Sequence, residues 1–286
     1  MSSTEKMALE IAKIKNLPPL PEASIKIISA VNDPDISVNE LVEVISLSPT
    51  LMARLLGLSN SSYFGRAGQI KDLRVAIIQV LGLNLVKSLS LSIALNVELD
   101  TSQCKLFDAN HFWGHALSTA LVAQKIAVHL DNELMAPNIV YTSGLLLNIG
   151  LLAAVYIFPV EMNNVFANSE QTDGAVSKQM IESFGQTQYD LAGILLERWQ
   201  LPKVYQNTIK EFRRPEFEGD EKILAELLEL SHSIGYYIIA DNNEEMPDFS
   251  YLLNKLSLSQ ELVDNIIAEL KENKDNIDEL AAVISG

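Results

Sequence analysis

The chain has 286 residues, of which 48% are hydrophobic, 20% charged and only 7% aromatic, a composition typical of a globular protein and not of a fibrous or disordered one. Its formal net charge at pH 7 is −16. This acidity argues against general binding to DNA, whose phosphates dominate the affinity of such complexes, and favours a protein partner with a basic face. At about 150 residues per domain, the length predicts about two domains.

The charge is unevenly distributed along the chain. Residues 215–286 contain 17 acidic and four basic side chains, whereas residues 50–97 contain five basic side chains and only one acidic one. Such a basic stretch is usually a solvated surface, and we interpret it in that way while keeping it as a candidate interaction patch. The members of this basic patch are Arg54, Arg66, Lys71, Arg74 and Lys87.

Several features predict a cytoplasmic protein without membrane contact. Cys104 is the only cysteine, so no intrachain disulfide points to an oxidising compartment. The first residues, MSSTEKMALEIAKIKNL, contain acids and lack the apolar segment of a signal peptide. The longest apolar run, from Ile149 to Phe158, is shorter than the roughly 20 residues that span a bilayer. We therefore expect it to be a buried core helix.

The first third of the chain predicts short helices joined by tight turns. In SVNELVEVIS, Ser37 is followed three residues later by a glutamate, which is the spacing of a capping box. In SPTLMARLLGLS, Ser48 is a candidate N-cap and Pro49 occupies the first helical position. The segment DLRVAIIQVLG begins at Asp72 and ends at Gly82, where we expect a left-handed helix stop.

Longer helices follow, with apolar residues three and four positions apart. The first runs from Asn110 to Leu130, and the second is a continuous helix from Asn138 to Phe158. The chain shows no sustained alternation of apolar and polar residues and no hairpin turn between strand-like runs. The sequence therefore predicts an all-α fold, with a possible boundary at residues 99–108.

The histidines offer the only spacing that suggests metal chemistry. His111 and His115 are four residues apart and share one helix face, a spacing that can grip a metal ion. The intervening sequence is HFWGH, however, without the carboxylate that a metallohydrolase of this type needs. We therefore favour two half-buried structural histidines at a helix start over a metal pair. We interpret Cys104, Trp113 and Trp199 as core residues.

Long stretches of the chain resemble the HDOD domains of bacterial signalling proteins. The N-terminal pattern is carried by LPPLPEASIKIISAVNDP, LVEVISLSPTLMARLLGLSNSSYFG and QIKDLRVAIIQVLGLNLVKSLSLSIA. The segments HFWGHALSTALVAQKIA, YTSGLLLNIGLLAA and AGILLERWQLP are similar to the HD-like half of the family. The resemblance covers residues 14–240. It implies three parts: an N-terminal helical subdomain (1–100), a degenerate HD-like core (101–240) and an acidic helical extension (241–286).

The resemblance also implies that an ancestral metal site has been lost. HD phosphohydrolases hold metal with a His, a His-Asp pair in a GLLHDIG stretch, and a later Asp. This chain reads GLLLNIG, so that Leu147 and Asn148 replace the pair, while His115 matches the earlier His. Tyr189 stands where a His often precedes the segment G-x-x-L-L-E-x-W, and the later Asp has no secure counterpart, residues 231–232 being nearest.

These replacements predict a site without metal or catalysis. Leucine has no lone pair to offer, and a neutral amide is a far weaker ligand than a carboxylate for a hard cation. Without the metal, no bound water of lowered pKa can attack a phosphate. We expect the Asn148 amide to hydrogen-bond His115 or a facing backbone group, and we expect no catalytic residue and no cofactor. The vestigial or candidate ligand pocket comprises His111, His115, Leu147, Asn148 and Tyr189.

The resemblance thus implies a non-catalytic regulatory module that acts by contact with another signalling protein, in a cyclic-dinucleotide or two-component circuit. Two alternatives stay open. One is a metal-dependent phosphohydrolase that uses His111 and His115 with an acid we do not identify. The other is a nucleotide or nucleic-acid binder that uses the basic patch, although the overall charge makes nucleic acid an unfavourable partner.

Overall fold

A computed structural model describes residues 22–33, 35–64, 70–169, 173–240 and 246–286. Within these ranges the regular structure is entirely helical, and no strand occurs. The all-α prediction is therefore confirmed.

In the part of the chain that the structure describes, the N-terminal region has four α-helices of 4 to 11 residues and one of 16, so the prediction of short helices holds for all but the last of them. Ser62–Phe64 forms a single 3₁₀ turn, and α4 continues into a π-helical turn, Ile77–Leu81. The α-helices are α1 (Glu22–Asn32), α2 (Val38–Ile45), α3 (Pro49–Ser59), α4 (Leu73–Ala76) and α5 (Leu83–Glu98).

Helix starts lie where the capping residues predict them. The Ser37 hydroxyl accepts a hydrogen bond from the Glu40 backbone N–H at 3.3 Å, and the Glu40 carboxylate accepts one from the Ser37 N–H at 2.9 Å. The Ser48 hydroxyl caps α3, which begins at Pro49. These bonds satisfy backbone donors that the first turn of a helix leaves unpaired.

The turn at Gly82 has the positive φ that its position predicts, but a different ψ. Gly82 has φ 78° and ψ 156°, so it lies outside the left-handed helical region that we expected, in backbone space that is accessible essentially to glycine alone. The chain bends by 119° between Leu73–Leu81 and Leu83–Val97 at this residue. Gly82 therefore sets the direction in which α5 returns across the bundle.

The core is arranged around one long helix, α6, which is buried at every position from Phe112 to Ala123. A helix buried on all sides must be enclosed by others. Here α7, α13 and the C-terminal helix pack against it. The helices of this part are α6 (Ala109–Ala127), α7 (Pro137–Leu146), α8 (Ile149–Ile157), α9 (Pro159–Asn168), α10 (Asp173–Phe184), α11 (Gln188–Arg198), α12 (Lys203–Lys210) and α13 (Lys222–Ile239).

The prediction of one continuous helix from 138 to 158 is wrong, because the chain breaks at Leu147 and Asn148. Asn148 has φ −98° and ψ 12°, and α8 starts again at the next residue. The 21 residues Pro137–Ile157 are together long and apolar enough to cross a membrane, yet 83% of the most apolar window is buried inside the fold. This burial agrees with the predicted core role of the apolar run.

The C-terminal helices pack against both preceding parts. They are α14 (Ser250–Leu256), α15 (Gln260–Glu272) and α16 (Lys274–Ser285). Helix α16 lies against α6 and also touches α3 and α5. The Arg54 guanidinium donates to the Ile284 carbonyl, and the Asn96 amide donates to the same oxygen at 3.1 Å. The acidic extension therefore joins the N-terminal bundle to the core.

Candidate functional site

Four buried polar side chains from four segments meet at the break between α7 and α8. They are His115 on α6, Asn148 at the break, Tyr189 on α11 and His232 on α13, and each is less than 10% exposed. We call them the polar cluster. The rings of the two histidines lie 4.4 Å apart, centre to centre. The Nε2–H of His115 donates to the backbone carbonyl of His232 at 3.0 Å, because a carbonyl oxygen can only accept.

The partner of the Asn148 amide is a histidine other than the predicted one. Asn148 Nδ2 lies 3.3 Å from His232 Nε2, whereas His115 bonds to the His232 backbone. The Tyr189 hydroxyl lies 3.5 Å from the same Nε2 atom. The other amide atom, Asn148 Oδ1, has no hydrogen-bond partner among the described residues. The amide nitrogen of Asn148 is therefore hydrogen-bonded, whereas its oxygen is not; we call this oxygen the idle acceptor.

Aromatic packing closes the cluster on the side of α12. The ring of Phe212 lies 4.5 Å from that of Tyr189 and 5.6 Å from that of His232, between centroids. Arg213 follows in the left-handed region at φ 58°, and its guanidinium carbon lies 5.1 Å from the centre of the Phe212 ring. The cluster is thus walled by apolar and stacked groups on this side.

A cavity of about 150 Å³ lies next to the cluster and is lined by two of its members, His115 and Asn148. His111 and His115 both line it, as their predicted common helix face requires, but His111 is exposed whereas His115 is buried. Leu147 is fully buried in the core and does not line the cavity. The described lining residues are Leu106, Phe107, Asp108, His111, Phe112, His115, Asn148, Leu151, Phe166, Val176 and Tyr236.

The donors present here do not fit the metal centre of an HD phosphohydrolase. Leu147 and Asn148 supply no charge, and the nearby carboxylate, Asp108, accepts the His111 backbone N–H at 2.9 Å as the N-cap of α6. Among the residues that the structure describes, no three His, Cys, Asp or Glu side chains are grouped so that they could hold a metal ion. A catalytic zinc site, by comparison, uses three protein ligands.

His232 is the member of the cluster that sequence reasoning did not identify, beyond its being near the missing Asp. It lies 117 residues from His115, and only the packing of α13 on α6 brings the two together. One signal was available: His232 and Tyr236 are four apart on the same helix, which repeats the spacing of His111 and His115. In the structure Tyr236 packs near both of those histidines, at 6.5 and 5.9 Å between ring centres.

The members of the basic patch lie in different environments. Arg54 is bonded to the end of α16, and Lys87 Nζ donates to the Asp33 carbonyl at 2.6 Å. Partial burial lowers the pKa of both groups. Lys71 and Arg74 are exposed, and Arg66 lies outside the described residues. The role of the patch in binding stays a prediction, with Lys71 and Arg74 as its exposed members.

Solved structures from three bacteria have the same fold. A "Putative signal transduction protein" from Marinobacter aquaeolei VT8 superposes with a TM-score of 0.79 at 26% identity, over 95% of this chain and 60% of that one. A "Putative phosphohydrolase" from Shewanella amazonensis SB2B gives 0.73 at 22% identity, over 96% and 97%. An HDOD domain protein from Geobacter sulfurreducens gives 0.68 at 22% identity, over 93% and 92%.

Sequence comparison agrees with the structural comparison. A protein of Treponema pallidum (strain Nichols) is 28% identical over 214 residues, which are 73% of this chain and 40% of that protein. The chain thus spans well under two thirds of that relative's length. The sequence profile of the HDOD domain matches residues 17–215, which is most of the chain. The chain therefore belongs to the HDOD domain family.

Proposed function

We propose that this HDOD protein is a non-catalytic, cytoplasmic module of signal transduction that acts by binding another protein. Family membership and the name of the Marinobacter relative support the signalling role. The non-catalytic part of the proposal rests on Leu147 and Asn148, the two residues that stand in place of the metal-binding His-Asp pair. Leu147 is turned into the core, and the Asn148 amide is bonded to His232.

Hydrolysis of a phosphate ester by an HD enzyme needs a cation that lowers the pKa of its bound water. Here His115 commits its Nε2–H to a backbone carbonyl, and a neutral amide stands in place of the aspartate. The cluster can hold its own helices together through these bonds. It offers no anionic ligand to a hard cation, which prefers carboxylate oxygen.

The metal part of the proposal has a direct test. We expect protein purified after incubation with Mn²⁺, Mg²⁺ or Fe²⁺ to retain far less than one ion per chain by elemental analysis. Hydrolysis of bis(p-nitrophenyl) phosphate should be at background and should not change in His115→Ala. His129→Ala is the control, because His129 is exposed and lies two residues beyond the end of α6. Near-stoichiometric metal, with turnover lost in His115→Ala but kept in His129→Ala, would show an enzyme.

The partner is proposed to be a signalling protein with a basic face, because the C-terminal helices expose many acids. Glu261, Asp264, Glu272 and Asp275 are exposed on α15 and α16 and take part in none of the ion pairs found among the described residues. Complementary charge of this kind mainly raises the rate of association and is screened by salt. A cyclic-dinucleotide circuit stays a prediction from the family resemblance.

Charge substitutions test which face meets the partner. We expect cross-linking in the native cell, followed by mass spectrometry, to recover a specific protein with the wild type. Recovery should fall at least severalfold in a variant that combines Glu261→Gln, Asp264→Asn, Glu272→Gln and Asp275→Asn. A control variant with Lys71→Gln and Arg74→Gln should recover the wild-type amount. The reverse result would assign binding to the basic patch and contradict the proposed acidic face.

A further inference from the structure

We infer that the cavity beside the polar cluster binds a small, uncharged aromatic molecule that carries an N–H group. The structural basis is that Asn148, whose amide oxygen has no partner among the described residues, lines the same cavity as Phe107, Phe112 and Phe166. This inference goes beyond the proposed output of the protein, because it names an input of defined chemistry.

The idle acceptor is the first argument. Asn148 is 6% exposed and lines the cavity, and its Oδ1 has no hydrogen-bond partner in the described part of the chain. Its Nδ2 is already directed at His232 Nε2. Leaving a buried acceptor unpaired costs about 1–3 kcal/mol. A bound donor would remove it, so the group that the site requires is an N–H or O–H.

The lining of the cavity defines the body of the ligand. The ring of Phe107 lies 5.6 Å from that of Phe112 and 6.1 Å from that of Phe166, and Leu106, Leu151 and Val176 add aliphatic surface. Aromatic rings at such distances favour another ring in edge or offset contact. A volume of about 150 Å³ matches that of engineered apolar cavities that take up benzene. One ring, or two fused rings, is therefore the suitable size.

The charges of the side chains that line the cavity argue against a nucleotide as the ligand. No Lys or Arg is found among the described residues that line the cavity; their carboxylate and imidazole side chains are Asp108, His111 and His115, and the Nε2–H of His115 is already bonded to the His232 carbonyl. Phosphate groups are bound by cationic side chains or by free backbone N–H groups. The cavity therefore disfavours a phosphorylated ligand and suits a neutral heterocycle.

A matched pair of probes tests the inference. Indole and benzofuran have the same shape. The ring N–H of indole, a hydrogen-bond donor, is replaced in benzofuran by a ring oxygen, which cannot donate. We expect protein-observed NMR titration to show saturable binding of indole, with shifts at residues that line the cavity. Benzofuran should bind about tenfold more weakly, which is the usual value of one buried hydrogen bond. Equal or tighter binding of benzofuran, or no saturable binding of indole, would overturn the inference.

Variants assign the effect to the asparagine. Asn148→Leu should keep the fold and should abolish the preference for indole; its stability combines two opposing changes, the loss of the bond to His232 Nε2 and the removal of the unpaired Oδ1. Asn60→Leu is the control: both amide atoms of Asn60 are bonded, to Ile70 and Leu56, so we expect lower stability and an unaltered preference. Leu151→Trp should fill the cavity and prevent binding of both probes. Loss of stability in Asn148→Leu with the preference retained would show a structural role alone.

Discussion

Gly150→Ala is expected to lower the free energy of unfolding by about 3 kcal/mol or more. A Cβ atom at Gly150 would lie 1.9 Å from the backbone oxygen of Gln188 and 2.5 Å from the backbone nitrogen of Ala192. Both are main-chain atoms of α11, so no side chain can rotate away and α8 and α11 must separate. Overpacking a tight core usually costs about 1–3 kcal/mol, and more where the backbone must move. Urea unfolding followed by circular dichroism measures the change.

The separation should also reach the polar cluster, because Tyr189 belongs to α11. We expect the Gly150→Ala protein, where it still folds, to lose the preference for indole over benzofuran. Gly174→Ala is the control, since a Cβ there meets nothing within 4 Å. The free energy of unfolding of that variant should lie within about 0.5 kcal/mol of the wild-type value, as is usual for surface substitutions. A Gly150→Ala protein of unaltered stability would show that α8 and α11 are not in direct backbone contact.

Deletion of residues 274–286 is expected to have the second large effect. Helix α16 buries four apolar side chains, Ile277, Leu280, Ala281 and Ile284, against α6 and the N-terminal bundle. Burial of each large aliphatic side chain contributes about 1.5–3 kcal/mol, so the loss exceeds about 5 kcal/mol. That is comparable with the whole stability of many domains. We expect the truncated protein to lose its cooperative thermal transition and to become sensitive to trypsin throughout.

Asp275→Ala supplies the control for this deletion. Asp275 is exposed in the first turn of α16, where an acid stabilises a helix by only a few tenths of a kcal/mol. Its transition temperature should therefore stay close to that of the wild type. A truncated protein that melts at the wild-type temperature would mean that α16 is an independent appendage. The result bears on function, because the family profile ends at residue 215 and does not include this helix.

The sequence predicted those features that depend on neighbouring residues. The capping box of Ser37 and the start of α3 at Pro49 were right, because each bond in them spans three residues. The break at Asn148 was missed, because the apolar run continues through it without proline, and the nearest glycines lie outside the break. The local sequence therefore gives no sign of the interruption between α7 and α8.

Three of the four members of the polar cluster could be predicted, but its hydrogen bonds could not. His115, Asn148 and Tyr189 were named from the resemblance to a family, and the structure places them together. His232 was missed as a partner, because its contact with His115 joins residues 117 positions apart on two different helices. No local pattern encodes such a distance. The link from Arg54 to the carbonyl of Ile284 was missed for the same reason, at a separation of 230 residues.

The idle oxygen of Asn148 has a practical consequence for protein engineering. A screen that rewards only heat resistance takes no account of ligand binding, so it can accept an aliphatic replacement at this position, which removes the unpaired oxygen together with the bond to His232. Consensus or thermostabilising redesign of this chain should therefore hold residue 148 fixed, because such a screen would not register the loss of any sensing capacity.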